Sequence, residues 1–180
     1  IIGGGMAFTF LRALGCYVGN SLVEENKMDI ARSLINKAKE KNVNFQLPVD
    51  TVIADSFSND AATDIAKKFS IKNGWMGLDI GPETIKVFKR IIEDSRTILW
   101  NGPMGVFEME KFAVGTKAIA EAIVKATHNG AFSLIGGGDL AAAISKMGYS
   151  NDVSYISTGG GALLEYMAGK KLPGVLALEG

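Results

Sequence analysis

Two glycine-rich turns hold the residues best suited to chemistry: Gly136-Gly137-Gly138-Asp139 and Ser157-Thr158-Gly159-Gly160-Gly161. Each follows a short apolar run and precedes a segment of helical period. A glycine between a strand and a helix lets backbone N–H groups approach a ligand closely, and the helix N-terminus adds partial positive charge, so phosphate is the natural guest. Either turn alone reads equally well as a tight connection that lets a helix pack on a sheet. The two together, separated by one helix and one strand, favour a pair of anion cradles. Asp139 falls in the first turn of a helix, where it can cap the helix or serve as an oxygen ligand to magnesium. Mg²⁺ takes one or two carboxylates beside phosphate oxygens and water, so a single Asp is enough.

Two further segments mix turn residues with apolar ones. In Trp100-Asn101-Gly102-Pro103-Met104-Gly105-Val106-Phe107-Glu108 the apolar side chains can lie against a nucleoside base while Glu108 accepts from ribose hydroxyls; a buried loop is an equal alternative. Gly74-Trp75-Met76-Gly77-Leu78-Asp79 is similar. Other chemistries are poorly served. Gly169-Lys170 is followed by Lys171 and has Leu164 five residues before it, so no Walker A loop is present. Gly136, Gly138 and Ala141 satisfy GxGxxA after a strand, which keeps a Rossmann-type NAD-binding domain as the alternative, although no acidic residue stands near 20 residues on to hold a ribose. GxSxG is absent, His128 sits in a polar turn, and Cys16 lies in an apolar context that suits a core residue.

The 180 residues include 22 glycines, 47% apolar residues, and 19 basic and 19 acidic side chains. A zero formal charge without a basic stripe disfavours a nucleic-acid partner. The single cysteine fits a reducing compartment and the single histidine excludes a two-histidine metal site. No apolar run is long enough for a membrane span. The start at Ile1, inside an apolar run, reads as a cut end.

The elements that must position these turns follow from periodicity. Ile1-Ile2, Phe45 to Leu47, Thr51 to Ala54, Met76 to Ile80, Ile98 to Trp100, Phe132 to Ile135 and Val153 to Ile156 read as strands. Helical spacing covers Met6 to Leu14, Glu24 to Lys41, Pro82 to Asp94, Phe112 to Ala126, Leu140 to Met147 and Ala162 to Ala168. Asp55 to Asn73 is the least patterned stretch, a surface excursion with a short helical piece near Ala61 to Phe69. Strands alternating with helices predict an α/β three-layer α/β/α sandwich on a mostly parallel, Rossmann-like sheet. The glycine turns are expected beyond the strands' carboxyl ends, where such sheets bind ligands, and no internal boundary is visible.

Taken in order, IIGGGMAFTFL at Ile1 to Leu11, LPVD at Leu47 to Asp50, GWMGLDIGPE at Gly74 to Glu83, WNGPMGVFE at Trp100 to Glu108, IGGGD at Ile135 to Asp139, STGGGA at Ser157 to Ala162 and LPGV at Leu172 to Val175 resemble the phosphoglycerate kinase family. The resemblance implies part of a C-terminal nucleotide-binding domain over residues 1–180, without the N-terminal domain that binds the phosphoglycerate. It implies a cytoplasmic, monomeric glycolytic kinase that moves a phosphoryl group between 1,3-bisphosphoglycerate and MgADP, giving 3-phosphoglycerate and MgATP. By the same match Gly4, Gly5, Gly77 and Leu78 line an adenine pocket, Gly102, Met104 and Phe107 stand near the nucleoside, and Glu108 holds the ribose. Gly137, Gly138 and Asp139 form the phosphate and magnesium segment, with Asp139 as metal ligand. Gly138, Gly160 and Gly161 face the transferring phosphoryl group. Leu140 stands in the nucleotide-binding segment where the family usually has Thr or Ser, so a hydroxyl contact to phosphate is lost. Phosphate-binding lysines expected upstream are not encoded, and the 180 residues alone are expected to be inactive.

Overall fold

The β-branched run Thr51-Val52-Ile53 forms the middle of strand β1 (Asp50–Ala54), which is buried on both faces, so the polar alternation of a half-exposed strand is missing. A computed structural model describes residues 1–67 and 70–179 and divides the chain into two compact units. Unit 1 comprises Ile1–Ile91 and Pro103–Ile119; unit 2 comprises Ile92–Gly102 and Ala120–Gly180. The chain passes between the units within helix α3 (Pro82–Glu93), at the Gly102-Pro103 step, and within helix α4 (Val114–His128), so two of the three passages carry no break in the helical pattern that could mark them in the sequence.

In unit 1, β1 lies between β2 (Thr63–Lys67) and β3 (Met76–Ile80), antiparallel to both. The ladder with β3 carries an irregularity at Val52/Ile53. Helix α1 (Gly4–Ala13) is buried on two sides. Ala7, Phe8 and Leu11 pack with Val18, Ile53, Ala66 and Ile71, while Phe10 and Ala13 meet Ala31 and Ile35 of helix α2 (Met28–Glu40). The Phe10 and Phe45 rings add a tilted aromatic contact at 5.4 Å between centroids, within the range where such pairs attract. A third cluster joins Ala54, Ala61, Leu78 and Phe112.

In unit 2 the sheet is parallel throughout, in the order β4 (Thr97–Asn101), β5 (Phe132–Gly136), β6 (Tyr155–Ser157). The chain returns from β4 to β5 through α4 and from β5 to β6 through α5 (Gly138–Lys146), as parallel neighbours require. Ile123, Ile135, Leu140 and Ile144 are fully buried. Helices α6 (Gly160–Met167) and α7 (Pro173–Glu179) close the chain. Among the described residues no helix is long and apolar enough to cross a membrane.

Several expectations need correction. Ile1-Ile2 and Phe45 to Leu47 are not strands; one bond from the Ile2 N–H to the Gln46 carbonyl, 2.9 Å, joins them, and a single bond makes no ladder. The piece expected to be helical near Ala61 is strand β2 instead, held by pairing with β1, and Phe69 lies outside the described residues. The strand expected from Val153 begins only at Tyr155. Helix α7 was not anticipated, although Pro173 at its first position is a helix-start signal. The parallel α/β pattern belongs to unit 2, whereas all pairing in unit 1's three-stranded sheet is antiparallel.

Candidate functional site

In unit 2, Asn101, Gly136 and Ser157 stand side by side at the strands' carboxyl ends: Asn101 pairs with Gly136, and Gly136 with Ser157. Gly137 then turns at φ +99°, a left-handed conformation that favours glycine, and its N–H donates to the Ser157 carbonyl at 3.1 Å. α5 starts at once behind Gly137 and α6 behind Gly159, and neither helix has a side-chain cap. The two turns touch. A Cβ on Gly160 would fall 2.7 Å from Gly137 Cα, so the first-turn N–H groups of two helices converge at one place. Backbone donors with the positive ends of two helix dipoles suit an anion of more than one charge.

Glycine is not demanded everywhere here. Apart from chain neighbours and the backbone of its own helix, a Cβ on Gly138 or Gly161 would meet no described atom within 4 Å, so space is open at these two positions. Asp139, in the first turn of α5, is exposed and makes no hydrogen bond or ion pair with a described residue, so its carboxylate is available as an oxygen ligand. Among the described residues no group of three or more His, Cys, Asp or Glu is placed to hold a metal. One carboxylate completed by phosphate oxygens and water needs no such group, so the donors present fit Mg²⁺ in that shared mode. The Leu140 side chain is buried beside Ala143 and Ile144; toward the turn it offers its backbone only. Asn101 was missed as a site residue. Its Nδ2 lies 3.2 and 3.3 Å from the positions a Cβ would take on Gly136 and Gly137, and 3.8 Å from that on Gly160, placing a neutral donor over both turns. A polar residue closing an apolar strand was the available signal. Gly102 follows at φ +85°.

In unit 1 two of the expected base-side residues, Gly4 and Leu78, meet the Pro103 to Glu108 turn that holds Met104, Phe107 and Glu108. Gly4, at φ +59°, brings α1 so close that a Cβ would lie 2.6 Å from the Pro103 carbonyl oxygen. The Val106 N–H donates to the Leu78 carbonyl at 2.9 Å, and the Met104 N–H to Thr116 Oγ1 at 3.0 Å. Met104 and Leu78 are buried, Phe107 is half-buried and Glu108 is exposed. Gly77 is also crowded by packing, since its Cβ would fall 2.2 Å from Phe8 Cζ. Gly5 instead lines an apolar cleft of about 390 Å³ with Met6, Phe10, Leu22, Ile30 and Leu34; of the expected base-side residues, only Gly5 lines that cleft.

Two buried aspartates positioning this region carried no predicted role. Asp50, on β1, accepts from the Glu83 and Thr84 N–H groups at 3.0 and 2.8 Å and so caps α3 from another element. Asp79, on β3, accepts from Gly115 N–H at 2.7 Å in the first turn of α4 and from its neighbour Ile80 at 2.8 Å. Burial raises the Asp79 carboxyl to about 7, against the opposing pull of those two N–H donors.

Uncapped helix N-termini converging beyond parallel strand ends are an arrangement by which α/β folds can hold phosphate. The sequence matches the family described as phosphoglycerate kinase over residues 1–170. It is 55% identical over 180 residues to the phosphoglycerate kinase of Porphyromonas gingivalis, covering all of this chain and 43% of that protein. It is 54% identical over 179 residues to phosphoglycerate kinase 3, cytosolic, of Arabidopsis thaliana, covering 99% of this chain and 45% of that one. The solved phosphoglycerate kinase of Coxiella burnetii superimposes with a TM-score of 0.87 at 43% identity, over 91% of this chain and 42% of that structure. The chain belongs to the phosphoglycerate kinase family. It spans less than half the length of the curated relatives it matches.

Proposed function

We propose that this chain supplies the nucleotide side of a phosphoglycerate kinase, as part of its C-terminal domain, in reversible phosphoryl transfer between 1,3-bisphosphoglycerate and MgADP. The observation that carries the reading is the pair of touching, uncapped helix N-termini at Gly137 and Gly159, with Gly138 and Gly161 open beside them. Phosphoryl transfer needs positioning and charge neutralisation rather than a protein nucleophile, which agrees with a site built from backbone N–H groups. Amides of Gly138, Gly160 and Gly161 offset negative charge on the transferring group, and the Asn101 amide adds a donor. Asp139 would hold Mg²⁺, which supplies charge neutralisation at the nucleotide phosphates when bound. On the base side, Gly4, Gly5, Gly77, Leu78, Gly102, Met104 and Phe107 would take the nucleoside, with Glu108 on the ribose. The cytosolic location and glycolytic role of the relatives fit the same reading. A phosphoglycerate would reach the amides from a second domain of the whole enzyme, so the 180 residues alone are expected to show no turnover in a coupled assay.

The test is a calorimetric titration of MgADP into the folded chain. Binding that falls about tenfold or more in Asp139→Ala, and likewise without magnesium, is the expected outcome for loss of a charged ligand. Equal binding by Asp139→Ala and the parent chain would overturn the metal role; no binding at all by the folded chain would overturn the reading for these residues.

A further inference from the structure

We propose that Asp79 is a positioning residue for nucleoside binding, acting from β3 through the first turn of α4 to set the Pro103 to Glu108 turn. The inference rests on the nucleotide reading above and concerns residues of unit 1 only.

The relay is made of short, buried links. Asp79 is 3% exposed, and its Oδ2 accepts the Gly115 N–H at 2.7 Å. The next residue, Thr116, is fully buried, and its Oγ1 accepts from both Met104 N–H at 3.0 Å and Gly105 N–H at 3.3 Å. Carboxylate, helix start and turn are therefore joined through consecutive residues of one helical turn. The same carboxylate is also enclosed by the pieces it ties together. A Cβ on Gly105 would lie 2.4 Å from Asp79 Oδ1, and one on Gly115 only 2.2 Å from it, so both backbones pass against the oxygen with no room for a side chain. Thr51 Oγ1 donates to the Asp79 carbonyl at 2.6 Å, fixing the residue's own backbone to β1. Asp79 itself cannot meet a ligand without leaving this enclosure. What it controls is where Met104, Phe107 and Glu108 stand, and these are the residues proposed to contact the nucleoside.

The experiment separates base recognition from phosphate recognition. Asp79→Asn keeps the shape but removes the charge and one acceptor, and calorimetry compares MgADP with magnesium pyrophosphate on the same chain. Affinity for MgADP is expected to fall about tenfold, the size of a lost cap, while pyrophosphate affinity is unchanged. A global loss of structure would lower both. Amide hydrogen exchange provides the arm that needs no ligand: Met104, Gly105 and Gly115 exchange about tenfold faster in Asp79→Asn, with the β5 amides unaffected. If Asp79→Asn does not fold, Thr116→Val cuts the relay one link later and is expected to give the same selective loss of MgADP affinity. Unchanged exchange at Met104 and Gly105 in Asp79→Asn, or equal MgADP affinity in a folded Thr116→Val, overturns the inference. If the parent chain binds neither ligand, the nucleotide reading falls, and exchange alone decides whether Asp79 sets the turn.

Discussion

Three glycines of unit 1 and two of unit 2 stand in opposite surroundings, although each unit also holds glycines of the other kind. In unit 1, Gly77, Gly105 and Gly115 are pressed against Phe8 or Asp79, and a methyl group on any of them would land within 2.5 Å of a neighbouring heavy atom. In unit 2, Gly138 and Gly161 have nothing within 4 Å, although both stand in helical first turns where alanine would be the better helix former. A glycine cluster in a sequence therefore carries two separable messages. One is that the protein packs there; the other is that space is left for something the chain does not contain. The distinction also bears on the aspartates, since Asp50 and Asp79 cap helices inside unit 1 while Asp139 in unit 2 has no side-chain partner among the described residues.

The largest effect that would test this contrast is expected at Asp50. Asp50→Ala leaves the Glu83 and Thr84 N–H groups without their carboxylate acceptor, while the Thr84 hydroxyl keeps the Asp50 carbonyl at 2.9 Å, and should destabilise unit 1 by about 3 kcal/mol in urea unfolding. Gly77→Ala comes next. Its Cβ would overlap the Phe8 ring, and overpacking of that kind costs about 2 kcal/mol, read by the same unfolding curves. The pH dependence follows. Asp79 holds its proton to about 7 when folded but has an ordinary carboxylate value of 3.8 when unfolded, so between those values the folded state binds more protons. Stability is therefore expected to decline as pH rises from about 4 to about 7 and then to level, by an amount on the order of a few kcal/mol, and Asp79→Asn should flatten the curve. A unit 1 that grows more stable across that interval would mean that the two N–H donors outweigh the burial.

How far these features could be read in advance depends on how local they are. The parallel strands and helices of unit 2 follow from periods of a few residues, and IGGGD and STGGGA place the turns at the strand ends because each turn is continuous in sequence. Unit 1 is built across larger separations. Asp50 reaches Thr84 over 34 residues and Asp79 reaches Gly115 over 36, so nothing local to either carboxylate marks it as a buried cap. β2 has an exposed pattern broken only at Ala66 and declares itself through pairing with β1, not through its own composition. The Trp100 to Glu108 segment is legible from its own residues as one of two equal readings, whereas Gly4, Gly5, Gly77 and Leu78 came from family resemblance; Gly77 is crowded by Phe8, while Glu108 stays exposed.

The smallest stability effect gives the sharpest test of the comparison. Gly161→Ala adds a methyl group where no protein atom is within reach, so folding stability should change by no more than about 0.5 kcal/mol. Alanine also loses less conformational freedom than glycine on entering a helix, and the sign should be toward stabilisation where the backbone already has helical angles. If the space is kept for a phosphoryl group, the same substitution should lower MgADP affinity because the methyl occupies the approach to the amides. A variant equally or more stable in urea yet weaker in calorimetry would establish that Gly161 is retained for a ligand. Gly77→Ala would show the reverse order, with stability lost before any nucleotide is added. Should Gly161→Ala leave both quantities untouched, the openness of unit 2 would carry no message about binding, and the convergence of the two helix N-termini would have to stand without it.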